Sequence, residues 1–496
     1  MHRPTVGSDR TTKHIFTRLN NNPLISARIV PLAFILLASA VLWFIAPPEG
    51  LSIAAYHTAI LFIAMIASIV ANVMPTGVVA IIGTAVYALL RVGGEETAKA
   101  AIETAMKNFN NLLIWMIVIA FTIARSFVKT GLGRRIALIL LSHFGKSSLR
   151  IAYCLGVADY LIAPVTPSNT ARAAIISPIA ESLIKVINKD DRKLGQFLIS
   201  NTSAMNDASA VGFMTGFAGN LALVSIAASV AGITLSFSGW LLYLFIPSFA
   251  LLLTVPWILY RFINPETRNT PQAPEYAREQ LRKMGAITLP EKKLLFVFML
   301  LLVMWVGGDL LGIHSTTAAF AGLGLLLLSG VLSWDDVKGE KGAWDTLVWF
   351  SVLMGMANLL KAYGFTGWVG SGVSDFISTY FAGAGWIVLL AAMMLFYLLT
   401  SYFFASGTAK VVALAPVLIG ALVNLGISPT LSVLAIAGIT NIGCNLTTYS
   451  HARNPLLLGY GYHTDKEWMK IGIIIAVVGF MVFLPTGLIW WNIVGV

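Results

Sequence analysis

Apolar residues in this chain come in long unbroken runs, not in the alternation of a half-buried strand. Runs such as PLAFILLASAVLWFIA, TLVWFSVLMGMANLL and IGIIIAVVGFMVFLPTGLIWW are close to the ~20 residues a membrane-spanning helix needs. Lipid offers the backbone no hydrogen bonds, so spans are helices or a closed barrel, and continuous runs select helices. The pattern predicts spans at about Ala27–Ala46, Ala54–Val73, Thr76–Arg91, Asn111–Lys129, Gly239–Phe262, Lys293–Ile313, Ser315–Leu332 and Thr346–Leu360, with a last one ending in WWNIVGV.

Two apolar stretches are interrupted in the middle. Ile151–Val186 contains VTPSNTARAAIISP (Val165–Pro178), and Gly385–Leu425 contains FASGTAKVVALAP (Phe404–Pro416). Ser168 and Ser406, Arg172 and Lys410, and Pro178 and Pro416 each stand 238 positions apart (406 − 168). Both flanks of the first stretch are basic, and each arm is long enough to reach the bilayer centre at ~1.5 Å per residue. Both stretches are therefore expected to be re-entrant hairpins, 151–187 and 385–425, with polar turns at mid-membrane.

Composition agrees with this. The chain of 496 residues is 57% hydrophobic and 11% charged, with mean hydropathy +0.81, far below the ~25% charge that keeps a soluble domain wet. The net charge of +11 does not point to nucleic acid. Arg3, Arg10, Lys13 and Arg18 fill the first residues, Arg134, Arg135, Lys146 and Arg150 follow a span, and Arg268, Arg278, Arg282, Lys283, Lys292 and Lys293 fill the long polar segment. Loops at 47–50, 231–238 and 307–314 hold no Lys or Arg. That asymmetry is the positive-inside pattern of a plasma (inner) membrane protein with its N-terminus cytoplasmic and its C-terminus outside. The first run lacks the form of a cleavable signal. Cys154 and Cys444 lie in apolar surroundings and read as small buried side chains, with no metal or cofactor implied.

The Pro-rich, charged stretch 263–292 divides the chain as a cytoplasmic linker. After a tail, 1–26, it leaves two halves, 27–262 and 293–496, that repeat one order of spans from opposite starting sides. NNLLIWMIVIAFTIARSFVKTGLG resembles WDTLVWFSVLMGMANLLKAYGFTG, and each precedes its interrupted stretch. Further helix breaks are expected near 215 (MTGFAGN) and 450 (LTTYSHARNP). The fold class expected is an all-α polytopic membrane protein with an inverted-topology repeat, about eleven transmembrane helices by span counting and two re-entrant hairpins.

Non-helical backbone at membrane depth is tolerated where it is packed in protein or lines a wet cavity. The amides at each break, with the positive end of the following half-helix, suit an anion. Ser168, Asn169 and Thr170 add donors at one turn, and Ser406, Gly407 and Thr408 form the other. Arg172 and Lys410 add full charge, and a cation at the bilayer centre costs at least about 2.5–3.5 kcal/mol, which something anionic should offset. Two such turns suit a molecule with two carboxylates. The plain alternative is helix capping plus salt bridges to Asp159 and Asp207, and the two readings are compatible.

On these turns the chain resembles the divalent anion/sodium symporter family over nearly its full length. The family's two Ser-Asn-Thr turns stand here as Ser168-Asn169-Thr170 and, with a departure, Ser406-Gly407-Thr408. Sodium-coupled members continue to a threonine at the fifth position; here Arg172 and Lys410 stand there. LIAPVTPSNTAR and YGYHTDKEWMKIG are most similar to the exchanger branch, which includes citrate/succinate, tartrate/succinate and 2-oxoglutarate/malate antiporters. The resemblance implies an elevator mechanism, a homodimer, and further substrate contacts from the helix breaks. The candidates there are Thr215, Gly216, Thr447, Thr448, Ser450, His451 and Arg453. Arg453 either holds a second carboxylate or snorkels to the cytoplasmic interface.

Tethered cations favour sodium-independent obligatory exchange of di- or tricarboxylates, because an empty site would carry uncompensated charge across the bilayer. The alternative is a sodium-coupled dicarboxylate symporter. An enzyme is less favoured: the acidic pairs Asp190-Asp191 and Asp335-Asp336 sit among lysines on polar loops, and FGKSS lacks the earlier glycine of a phosphate loop, Leu140 standing there. A channel needs one open pore, which opposed re-entrant turns do not provide.

Overall fold

The computed structural model describes residues 23–380 and 383–496; the basic segment with Arg3, Arg10, Lys13 and Arg18 lies outside the described residues. Among the described residues the only β pairing is one isolated bridge, Ser147 to Asn269, and the rest is helix and connection. Eight stretches are long and apolar enough to cross a membrane: Ile53–Val70, Leu112–Thr130, Ser148–Val165, Phe237–Ile263, Lys341–Ala362, Trp386–Phe403, Gly407–Asn424 and Asp465–Ile493. Arg28–Trp43, Thr76–Leu90, Ala218–Ala231 and Ser315–Leu328 are apolar but shorter.

The distribution of polarity is that of a protein whose solvent is lipid. Leu37, Phe44, Leu89, Phe296 and Leu328 are exposed, while Ser200, Asn201, Ser203, Asn206, Asp207 and Ser209 are buried on one helix, Arg192–Gly212. Lipid supplies no hydrophobic drive between helices, so small and polar residues turn inward, where they find partners.

Both interrupted stretches fold as helix, break, helix. Ser148–Ile162 tightens into a 3-10 turn at Ala163–Val165, and Asn169–Asn188 follows. Pro164 and Pro167 carry no N–H to continue the first arm, and Ser168 starts the second by accepting from Ala171 N at 3.1 Å. In the other half, Trp386–Leu399 tightens at Thr400–Phe403, and Gly407–Asn424 follows with Ser406 accepting from Ala409 N at 3.3 Å. The same cap therefore recurs 238 positions on.

The helices after each arm pair also break where expected. Arg192–Gly212 gives way to a 3-10 turn at Met214–Gly216 and then Ala218–Ile226. Pro429–Ile442 gives way to Gly443–Asn445 and an irregular run before Asn454–Leu458. Ala218 N donates to Pro167 O at 3.0 Å, and Ala218–Ile226 packs on Gly407–Asn424. One half's broken helix is thus seated against the other half's turn. The last long helix comes equally close: a Cβ on Gly472 would stand 1.9 Å from Asn445 O, so only glycine lets Asp465–Ile493 reach the second break.

Two polar stretches are more ordered than their composition implies. The expected linker, 263–292, contains the helix Gln272–Met284, which packs on Leu132–Phe144 by burying Ala273 and Ala277. The expected basic loop at Arg134 and Arg135 is that second helix, and Arg135 Nε pairs with Glu291 at 2.6 Å. Amphipathic helices lying outside the long spans read as loops when sought by continuous hydropathy.

Candidate functional site

A cavity of about 140 Å³ lies between the two turns. Ser168, Asn169 and Thr170 line it from one half, and Ser406, Gly407 and Thr408 from the other. Phe217 and Ala218 come from the first broken helix, His451 and Ala452 from the second, and Phe121 from Leu112–Thr130. The fold therefore brings together the six turn residues expected at the site. Both half-helices present their first turn to this space, where unpaired N–H groups carry partial positive charge. As caps, Ser168 and Ser406 accept from the backbone, which leaves each hydroxyl hydrogen free to donate.

Arg172 sits behind the first turn, not in the cavity, and it is fully buried. Its Nε donates to Asp159 Oδ2 at 3.2 Å, its Nη1 to Thr166 O and Gly216 O, and its Nη2 to Asn169 Oδ1 at 3.0 Å and Asn206 O at 3.1 Å. A guanidinium has five N–H donors, and all five are taken by the protein. The side chain acts as a clamp: it holds Asn169, covers the carbonyl Thr166 at the end of the first arm, and ties both to the break at Gly216. Thr215 Oγ1 donates to Pro164 O and strengthens the same joint. Thr215 and Gly216 therefore support the cavity from behind, while the next two residues, Phe217 and Ala218, line it.

Lys410 is buried behind the second turn. Its Nζ donates to Ser401 Oγ at 2.7 Å and Thr440 O at 3.4 Å and lies 4.4 Å from the centroid of the Tyr397 ring. Arg453 neither snorkels nor faces the cavity. It is fully buried, with Nη2 2.6 Å from Asp207 Oδ1, Nη1 on Asn206 Oδ1 at 2.8 Å and Nε on Ser203 Oγ at 3.1 Å.

Asn206 thus joins the two ion pairs, since its Nδ2 also donates to Asp159 Oδ1 at 3.0 Å. Asn445 Nδ2 donates to Asp207 Oδ2, and Asn169 Nδ2 to Asn441 Oδ1 at 3.3 Å. A salt bridge with so many hydrogen-bonded neighbours offsets the desolvation of its charges, which an isolated one does not. Hydropathy and motif wording did not bring out Asn206, Asn441 and Asn445. Their register carried a signal: Asn441 and Asn445 stand 238 positions after Ser203 and Asp207.

In the second broken helix, Thr447 and Ser450 bond each other, with Ser450 N donating to Thr447 Oγ1 at 2.9 Å and Ser450 Oγ to Cys444 O at 2.8 Å. They shape the irregular run. Thr448 is half-buried and outside the cavity lining. His451 reaches the cavity and accepts at Nδ1 from Arg453 N at 3.2 Å, which leaves Nε2 as the donor of the neutral ring. Gly407 replaces the asparagine of the first turn where a Cβ would stand 3.1 Å from Phe217 Cζ and 3.5 Å from Cys444 Sγ. The Phe217 ring fills that place.

The fold and sequence have relatives. Residues 26–496 match the family profile for the sodium:sulfate symporter transmembrane region. A Bacillus subtilis protein carried under a provisional malate-transporter name is 36% identical over 95% of this chain and 98% of its own. The chloroplastic dicarboxylate transporter 1 of Spinacia oleracea is 33% identical over 95% of this chain and 83% of its own. An L-tartrate/succinate antiporter of Escherichia coli is 32% identical over 94% and 98%. Among solved structures, the YdaH transporter of Alcanivorax borkumensis superposes with a TM-score of 0.57 at 14% identity, over 88% of this chain and 99% of that one, a likeness of fold alone. With nearly its whole length matched by the family profile, this membrane transporter, which is not an enzyme, belongs to the divalent anion/sodium symporter family.

Proposed function

We propose that the protein exchanges small di- or tricarboxylates (succinate, malate, fumarate, 2-oxoglutarate, tartrate or citrate) across the membrane by sodium-independent, obligatory antiport. The observation that carries this reading is the shared cavity lined by the first turns of two half-helices taken from matching positions of the two halves. The relatives named for malate, dicarboxylates and tartrate/succinate point to the same substrate class.

The charge balance favours a dianion. Arg172 and Arg453 are neutralised by Asp159 and Asp207, which leaves Lys410 and the two helix N-termini. Each terminus is equivalent to roughly half a positive charge, so the cavity faces about two positive charges. A bound dicarboxylate balances them; an empty site does not, and moving it through the low-dielectric barrier is costly. The loaded carrier is therefore the one that crosses. Tricarboxylates carry more charge than the site offers and would enter partly protonated.

In this reading, the interrupted segments dip into the bilayer from opposite faces as re-entrant hairpins, and with about eleven spans they form two inverted repeats, 27–262 and 293–496. The hairpins and broken helices move as an elevator against a scaffold of the spans at about 27–91 and 293–332, through which two copies pair. The N-terminus is cytoplasmic and the C-terminus outside. Binding tests the substrate assignment: purified protein titrated with succinate in sodium-free buffer should give a Kd that sodium leaves unchanged and that Ser406→Ala and Thr408→Ala each raise. A Kd that falls on adding sodium would favour the symporter alternative.

A further inference from the structure

The 238-residue register that relates the two turns extends into the groups behind them, and there the halves differ in charge. Asp159 and Tyr397 occupy matching positions (397 − 159), and each contacts the cation of its own half. In the first half the contact is an ion pair, Arg172 Nε to Asp159 Oδ2 at 3.2 Å. In the second it is a ring face, with Lys410 Nζ 4.4 Å from the Tyr397 centroid. Among the described residues, the other partners of Lys410 are the neutral Ser401 hydroxyl and Thr440 carbonyl. A cation over a tyrosine ring is stabilised without being neutralised. Tyr397 is itself fully buried, and its hydroxyl accepts from Thr440 Oγ1 at 3.3 Å, so the ring is fixed in place.

We infer that Tyr397 is a specificity-determining residue. Standing where the first half carries Asp159, it leaves Lys410 without a carboxylate partner, so the second turn holds the substrate's obligatory carboxylate and the first turn the end met by neutral donors. This rests on the dicarboxylate reading and goes beyond it: the two ends of the substrate are recognised by unequal chemistry. The first turn offers Asn169, Thr170 and the Ser168 hydroxyl in front of a neutral Arg172–Asp159 pair. The second offers Ser406 and Thr408 in front of a full positive charge. Tyr397 touches no substrate; it acts through Lys410.

The test is the selectivity between succinamate, which keeps one carboxylate, and the diamide succinamide, which has none. Both are measured as competitors of labelled succinate exchange in proteoliposomes. Tyr397→Asp places a carboxylate beside Lys410 and removes about one positive charge from the site. The ratio of succinamate to succinamide affinity should then fall about tenfold or more. Tyr397→Phe keeps the ring face and should hold the ratio within about twofold.

Ser401→Asp brings a carboxylate to the same ammonium from another position, and it decides the matter by the same ratio should Tyr397→Asp not fold. A general packing defect lowers both affinities together and leaves the ratio unchanged, so an unchanged ratio in a folded carboxylate variant overturns the inference. So does an equal fall in Tyr397→Phe. Absence of succinate exchange by the unaltered protein would instead refute the dicarboxylate reading itself.

Discussion

Asn169 Nδ2 donates to Asn441 Oδ1 at 3.3 Å, joining the turn of the first half to the helix before the second half's break. Arg172 holds the other end of the Asn169 amide, and Lys410 donates to the carbonyl of Thr440, next to Asn441. The two cations are thus linked behind the cavity, and Arg172 sets the position of Asn169, which lines it.

Arg172→Ala should act on stability as well as transport. It leaves Asp159 buried beside Asn206 and Ser209 with no cation, and breaking a buried pair from one side costs about 3–5 kcal/mol. The thermal unfolding midpoint in detergent should drop accordingly. Arg172→Leu combined with Asp159→Leu should recover much of that loss while exchange stays absent, because Asn169 is no longer held.

Gly407→Asn restores the wording of the first turn but drives a side chain toward Phe217 Cζ. Overpacking of this kind costs about 1–3 kcal/mol. Succinate affinity should fall in the single variant and return in part when Phe217→Ala opens the space.

Gly472→Ala should lower the unfolding midpoint more than Gly461→Ala does in a nearby loop. The added Cβ would stand 1.9 Å from a backbone carbonyl, Asn445 O, which is not a side chain free to rotate. Asn445 is a partner of Asp207, so substrate affinity should decline with stability.

Asp336 gives a pH dependence outside the membrane-spanning segments. Its carboxylate contacts Lys129, accepts from Ser333 N at 2.8 Å and lies 3.3 Å from Arg125 Nε. The Lys129 bond first, then the Ser333 amide, hold it well below the usual carboxylate range. A depressed folded value stabilises the fold above the unfolded pKa of ~3.9 and loses that contribution as pH falls through the folded value. Asp336→Asn should therefore be less stable than the unaltered protein at pH 7, and the difference should shrink on acidification below about pH 4. A difference that stays constant down to pH 2 would contradict this.

Much of the framework was legible because lipid imposes simple patterns. The arms of both interrupted stretches lie within a few residues of where the runs put them, and Pro164, Pro167, Ser168 and Ser406 mark the breaks by chemistry alone. Spacing pointed to Ser168 and Ser406, and the donors and turn wording beside them to the other four cavity residues; the same spacing also pointed to Arg172 and Lys410, which lie behind the turns. The direction of a long side chain was not legible. Arg172 could have faced a ligand or an acid, and the outcome depends on where Gly216, Asn206 and Asp159 converge in space. The helices Leu132–Phe144 and Gln272–Met284 were hidden for another reason: at 13 residues each is shorter than a span, the first opens on Arg134 and Arg135, and the second is charged away from Ala273 and Ala277.

Counterflow in proteoliposomes tests the central claim most directly. Labelled succinate uptake should be at least about tenfold faster into vesicles loaded with unlabelled dicarboxylate than into empty ones, in sodium-free buffer as in sodium. Rapid uptake into empty vesicles that requires an inward sodium gradient would contradict the account.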